Sequence, residues 1–325
     1  MSDLLLALDY GGTKLSAALA AVGTGPGSGG WSSLDRLQKP VGADGDYDRQ
    51  AMVELAHRLL AGRKPAAVGV SFGGPVDFGN GVVRLSHHVP GWEGVPLAAL
   101  LERTFGAPVS VDNDANAGAL GEHQFGAGRG VDSLLYVTVS TGVGGGWILG
   151  GRPWRGAEGM AGEFGHVKVD PLGPDCVCGD RGCVEAVACG PAMAAAASQA
   201  LAADPAAGAL LREIAGAGPV TAVHLGEAAA AGDPVARRAL ADGARAIGIA
   251  LGSTANLVNP RRIVIGGGVI KAGEAFWSEV IGAARQHAMP EVTVDVVKAE
   301  LGDDSPLWGA VKLGMDALAA RRSAA

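Results

Sequence analysis

Leu4-Leu5-Leu6-Ala7-Leu8-Asp9-Tyr10-Gly11-Gly12-Thr13-Lys14 decides how this chain is read. An apolar run of strand length ends in a carboxylate and two glycines. Residues 17–22 supply a second apolar run, so the segment predicts a hairpin. Asp9 at the strand end can hold Mg2+ through water, and Gly11-Gly12 lets backbone N–H groups approach phosphate oxygens, with Thr13 adding a hydroxyl. Taken alone, the loop also fits an ordinary hairpin turn.

The same punctuation recurs along the chain. Residues 66–71 (AAVGVS) run into Gly73-Gly74-Pro75, and residues 108–111 lead into Asp112-Asn113-Asp114. Residues 134–139 end in Ser140-Thr141-Gly142-Val143-Gly144-Gly145-Gly146, and residues 263–265 end in Gly266-Gly267-Gly268. Small residues at Ala115, Gly118 and Ala119 predict a closely packed helix from near Asp114. Asp233-Pro234 is a helix cap with Pro at the first helical position, and that helix stops before Asn259-Pro260. Ser305-Pro306 starts a last helix that ends near Arg321. Strands ending in glycine turns and followed by helices predict an α/β architecture with a mixed sheet. Two such units, divided near residue 115, are expected around a central cleft. The smaller takes residues 1–115, completed by the C-terminal helix 305–325, and the larger takes 116–304.

Composition narrows the function. The chain has 325 residues, 48% hydrophobic and 18% charged, with a formal net charge of −7. A basic footprint for nucleic acid is absent. No uncharged apolar run reaches about 18 residues, so no membrane span is expected. The first residues enter an apolar strand without a basic stretch, which predicts a cytoplasmic protein without a secretory signal. The 53 glycines gather at strand ends, as tight loops do. Residues 23–30 (GTGPGSGG) read as a hairpin tip or surface loop. There is neither a Gly-x-x-x-x-Gly-Lys nor a Gly-x-Gly-x-x-Gly pattern, so phosphate would be held by several loops together.

Val111-Asp112-Asn113-Asp114-Ala115-Asn116 sets carboxylates and amides where a strand meets a helix. An Asp there is stabilised as the anion by unpaired N–H groups, and a plain N-cap would explain Asp114 equally. Phosphoryl transfer tolerates so weak a base, because the loose transition state asks mainly for alignment and late proton transfer. Asp114 can therefore orient a hydroxyl and accept its proton, and Asn113 can fix a neighbouring hydroxyl.

The four cysteines fall in one window. His166 followed by Cys176, Cys178 and Cys183 supplies four N/S ligands, the closed set of a structural zinc. The alternative is free buried thiols beside a core histidine. Cys189 lies outside the spacing and reads as a packed thiol. Such a zinc would hold the loop presenting Glu163 and Glu185, which otherwise read as surface charge.

Together the segments DYGGTK, VDNDANAGALGE, STGVGGG, GMAGEFGH, CVCGDRGCVE and IVIGGGV resemble the ROK family of bacterial sugar kinases and repressors over nearly the whole chain. The resemblance implies an actin-like ATPase fold, two ribonuclease-H-like domains closing over ATP, Mg2+ and a hexose, and a homo-oligomer, dimer or tetramer. It implies Asp114 as catalytic base and a sugar held by Gly73, Gly74, Asn113, Glu163, His166 and Glu185. It also implies a nucleotide lined by Gly11, Gly12, Thr13, Lys14, Thr141, Gly142, Gly266 and Gly267, with Asp9 on Mg2+. His166, Cys176, Cys178 and Cys183 would bind zinc, His166 turning its other ring nitrogen to the sugar. Ser86-His87-His88-Val89-Pro90-Gly91-Trp92 departs from the Ala-Pro-Asn run of many glucokinases, and its paired histidines read as a loop feature. Glucose is the expected substrate, with N-acetylmannosamine, N-acetylglucosamine, fructose and allose as alternatives. A sugar-sensing repressor would carry a helix-turn-helix ahead of Asp9, where only eight residues stand. A zinc-ribbon interaction module would leave the phosphate loops unexplained.

Overall fold

The computed structural model describes residues 3–27, 30–86 and 89–324. The paired histidines, His87 and His88, lie outside the described residues, as does the centre of the 23–30 loop. In chain order the elements are β1 Leu4–Tyr10, β2 Lys14–Ala21, β3 Ser33–Gln38, α1 Gly45–Leu60, β4 Ala67–Phe72, β5 Val76–Asp77, β6 Val82–Val83, α2 Leu97–Phe105, β7 Val109–Asn113 and α3 Asp114–Phe125. They continue with β8 Ser133–Val139, β9 Val143–Leu149, β10 Arg152–Trp154, α4 Val184–Ala188, α5 Gly190–Ala203, α6 Ala209–Ala215, α7 Ala222–Ala230 and α8 Pro234–Val258. β11 Arg262–Gly266, α9 Glu274–His287, β12 Val296–Lys298 and α10 Ser305–Ser323 complete the chain.

Two compact units emerge. The first holds residues 1–132, 146–162 and 299–325, and the second holds 133–145 and 163–298. The boundary expected near residue 115 falls at the head of α3, a helix that packs along α10 within the first unit.

In the first unit the sheet order is β3-β2-β1-β4-β7. The hairpin strands β1, β2 and β3 pair antiparallel, while β4 and β7 add in parallel, giving the mixed sheet that the sequence predicts. One face buries Leu6, Leu8, Met52, Leu55 and Trp92 with α1 and α2. The other buries Leu5, Ala7, Ala18 and Ala20 under Leu307, Trp308 and Val311 of α10. Alternation along β1 therefore reads as continuous apolarity, because both faces are covered. The α3–α10 contact needs bare backbone: a Cβ on Gly309 would stand 1.7 Å from the Ala117 carbonyl oxygen.

The second sheet runs β10-β9-β8-β11-β12, with β8, β11 and β12 parallel. In the second unit α8 packs along α9 and against α4, α5 and α7. Asp233 caps α8 as expected, accepting from Val235 N at 2.9 Å and Ala236 N at 3.0 Å, with Pro234 at the first helical position. The helix ends on Asn259 in the left-handed conformation, φ 49°. Among the described residues no helix is long and apolar enough to cross a membrane.

Candidate active site and metal cluster

Three parallel strands of the first sheet end in one row. Register aligns Asp9 with Ser71 and Ser71 with Asp112, then Tyr10 with Phe72 and Phe72 with Asn113. Ligands of open α/β sheets gather beyond such a carboxyl edge. Ser71 Oγ donates to Asp9 Oδ1 at 2.7 Å. Burial pushes the Asp9 carboxyl above its ordinary value, against the opposing pull of the Ser71 hydroxyl and Lys14. Once ionised, the carboxylate at this strand end is the kind of hard oxygen donor that a hydrated Mg2+ takes.

β7 passes directly into α3, and the cap is Asn113. Its Oδ1 accepts from Ala115 N at 2.9 Å and Asn116 N at 3.3 Å, in the extended conformation a cap requires. The reading of Asp114 as a plain N-cap is thereby corrected: Asp114 already has a helical place. Its Oδ1 accepts from Ala115 N at 2.9 Å and Asn113 Nδ2 at 3.0 Å. Gly73 lies alongside, a Cβ there standing 3.9 Å from Asp114 Oδ2, and Gly74 O accepts from Asn113 Nδ2 at 3.1 Å. Asn113 thus ties Gly74, Asp114 and the first helical turn together. A sugar hydroxyl bound to its amide has to replace one of these contacts.

Sequence reasoning missed what fixes this corner. Asp112 is buried, and its Oδ2 accepts a guanidinium fork from Arg155 at 2.6 and 2.9 Å. Its Oδ1 accepts from Asn113 N at 2.9 Å and Asn116 Nδ2 at 3.1 Å. Burial raises the Asp112 carboxyl, and Arg155 works against that rise. Arg155 also lies over the Phe78 ring at 3.5 Å. Asp112 directly after Val111, within a strand rich in valine, hinted at burial; no signal in the sequence pointed to Arg155.

The second unit gathers the remaining turns. Ser140 N donates to Gly142 O, and Gly190 N to Ser140 O, each at 2.8 Å. Glu185 Oε2 accepts from Val143 N at 2.8 Å, so one oxygen of this residue holds the glycine-rich turn after β8. Gly267, φ 87°, would set a Cβ 2.3 Å from Val139 O, so only glycine brings the turn after β11 this close to the end of β8. Beside these turns lies a cavity of 840 Å3 walled by Thr141, Pro191, Met193, Thr221, Glu227 and Gly268. Thr141 is on its wall; Gly142, Gly266 and Gly267 belong to the turns leading to it. The walls from α5 and α7 were illegible, since their alanine-rich sequence marks only helix.

His166, Cys176, Cys178 and Cys183 converge, with one ligand atom of each within 4.8 Å of all the others. Cys178 Sγ lies 3.8 Å from Cys183 Sγ, and Cys176 Sγ 3.6 Å from His166 Nδ1. With Zn–S near 2.3 Å, the S···S edge of a tetrahedron is roughly 3.8 Å, so the donor set fits Zn2+. Burial and the neighbouring sulfurs push the Cys183 thiol up to about 12. Burial raises Cys176, while the Asp180 backbone N–H lowers Cys178. His166 Nε2 faces Glu163 Oε2 at 4.0 Å, and Glu163 is exposed. Cys189 is buried away from the four, as expected.

Comparison with known proteins agrees over the whole length. A glucokinase of Thermotoga maritima is 33% identical over 317 residues, covering 95% of this chain and 96% of the relative. The crystal structure of a ROK family glucokinase from Streptomyces griseus, in complex with glucose and AMPPNP, has TM-score 0.84 and 34% identity, covering 96% and 99%. That of a ROK hexokinase from Thermus thermophilus has TM-score 0.81 and 36% identity, covering 98% and 99%. The fold is accordingly that of the actin-like ATPases. The ROK family model itself matches residues 5–317, and this chain belongs to the ROK family.

Proposed function

We propose that this protein transfers the γ-phosphoryl group of ATP to the 6-hydroxyl of glucose. The observation that carries the reading is the placement of Asp114, held by Ala115 N and Asn113 Nδ2 at the carboxyl edge where Asp9 and the Gly73-Gly74 turn also end. The full-length likeness to glucokinases supports glucose. Asp114 orients the attacking hydroxyl and accepts its proton late, as the sugar oxygen bonds phosphorus and the bond from phosphorus to the β-bridging oxygen breaks. Gly73, Gly74 and Asn113 hold sugar hydroxyls in the first unit; Glu163, His166 and the second oxygen of Glu185 do so in the second. Gly11, Gly12, Thr13 and Lys14 offer backbone and side-chain donors to phosphate, as do Thr141, Gly142, Gly266 and Gly267. The 840 Å3 cavity takes the adenosine.

Asp9 is the residue for Mg2+, which when bound offsets charge on the phosphates. His166, Cys176, Cys178 and Cys183 would hold Zn2+, which when bound would brace the loop of Glu163 and Glu185. Thiols available for a metal and a need for ATP support a cytoplasmic enzyme, and family analogy supports a dimer or tetramer. An ADP-release assay across glucose, N-acetylmannosamine, N-acetylglucosamine, fructose and allose tests the reading. Turnover should be highest with glucose, and silence with all five sugars would overturn it.

A further inference from the structure

Lys39 touches the Gly11–Thr13 turn twice. Its backbone N donates to Thr13 O at 3.0 Å, and its Nζ donates to Gly11 O at 3.3 Å. The same Nζ donates to Asp48 Oδ2 at 2.7 Å, and the two side chains are only 4% and 3% exposed. An ammonium and a carboxylate this deeply buried are costly to dehydrate, so the pair adds little to stability by itself. Asp48 Oδ1 is buried with no hydrogen-bond partner among the described residues, which makes the pair poorer still as a stabilising device.

What the pair does accomplish is directional. The peptide joining Gly11 to Gly12 is trans, so a Gly11 carbonyl drawn toward Lys39 turns the Gly12 N–H the opposite way. Gly12 is exposed, and a Cβ built on it would meet nothing within 4 Å. Open space and a fixed N–H are what an anionic oxygen requires. We infer that Lys39, held by Asp48, is a positioning residue that presets the Gly11–Thr13 turn for the nucleotide's phosphates. This rests on the kinase reading above, and it assigns Lys39 no contact with the reacting atoms.

The test is isothermal titration of AMPPNP and, separately, glucose into the full-length protein. The double variant Lys39→Met/Asp48→Leu replaces the ion pair with apolar side chains of similar size, an exchange that cores often tolerate. It should melt near the wild-type temperature, bind glucose within about twofold of wild type, and bind AMPPNP about tenfold more weakly, the scale of loss that follows small misplacements of binding groups. Lys39→Arg keeps the charge pair but moves the donor off Gly11 O, and should weaken AMPPNP by a smaller factor with glucose again unaffected. Should the double variant not fold, Lys39→Arg decides alone. AMPPNP affinity equal to wild type in a folded variant overturns the inference, and so does equal weakening for both ligands, which would mark a general structural role. If the wild-type protein binds no AMPPNP, it is the kinase reading that fails.

Discussion

Glu122 shows how far the C-terminal end of α3 depends on one buried acid. Its side chain is fully buried, and both oxygens are used twice. Oε2 accepts from Ala127 N at 2.9 Å and Glu300 N at 3.1 Å. Oε1 accepts from Leu301 N at 3.0 Å and Ser305 Oγ at 2.6 Å. Glu122→Gln keeps the shape but exchanges one oxygen for a donor. The amide nitrogen will settle at the Oε1 position, because Ser305 can accept there and donate instead to Gly302 O, 2.9 Å away. Leu301 N then loses its acceptor, at a cost of about 1–3 kcal/mol for one orphaned amide. Glu122→Ala strands three backbone N–H groups and opens a cavity, and should exceed about 4 kcal/mol. For a unit of this size each kcal/mol moves the melting temperature by roughly 2–4 °C. Urea unfolding and calorimetry of both variants measure these losses. A Glu122→Ala protein as stable as wild type, or a Gln variant worse than the Ala one, would refute the bonding scheme.

Asp114→Asn should fold normally, since the amide oxygen still accepts from Ala115 N, while kcat falls on the order of 10² or more; near-normal ADP release would refute the base assignment. Cys178→Ala should lose stoichiometric zinc by elemental analysis and raise the sugar KM through Glu163 and Glu185, and an unchanged KM would contradict the brace. Asp9→Asn should inactivate the enzyme yet stabilise it. The Asp9 carboxyl is raised in the fold, so the folded state holds its proton more tightly and loses stability as pH climbs from the ordinary carboxylate value through the raised one. The variant's melting advantage should therefore grow as pH climbs above the ordinary carboxylate value and vanish below it; a variant less stable than wild type at pH 7.5 would contradict this.

Much of the fold was legible because glycine turns punctuate it. The first hairpin, β4, β7, β8 and β11 begin and end within a few residues of their expected bounds, and the Asp233-Pro234 and Ser305-Pro306 signals mark two helix starts. The His166, Cys176, Cys178 and Cys183 cluster was legible because its spacing is local. The helix start at Asp114 was legible, but the alternative of Asp114 as the cap was not separable in sequence, since Asn113 and Asp114 are both good capping residues and only backbone dihedrals distinguish them. Lys39 and Arg155 were invisible for one reason. Each acts through a partner distant in sequence, and nothing near the residue itself announces the pairing. Glu163 and Glu185 looked alike in sequence, yet one is exposed and the other spends an oxygen on Val143 N.

The acidic balance of the chain, which reads as a surface property, is partly internal. Asp112, Glu122 and Asp233 are all at most 1% exposed, and each accepts from backbone N–H groups at the end of a helix or a loop. Such N–H groups cannot be satisfied by apolar side chains, so an anion is the economical partner for several at once. These anchors sit where the functional elements begin and end. Asp112 stands directly before Asn113-Asp114, Glu122 at the opposite end of α3, and Asp233 joins the start of α8 to Leu211 of α6 at 3.1 Å. Glu185, half-buried, does the same for the turn at Val143. A loose phosphoryl-transfer transition state asks above all for alignment. Carboxylates that clamp loop ends contribute to that alignment, and Glu185 does so with one oxygen while the proposed function gives its other oxygen to the sugar.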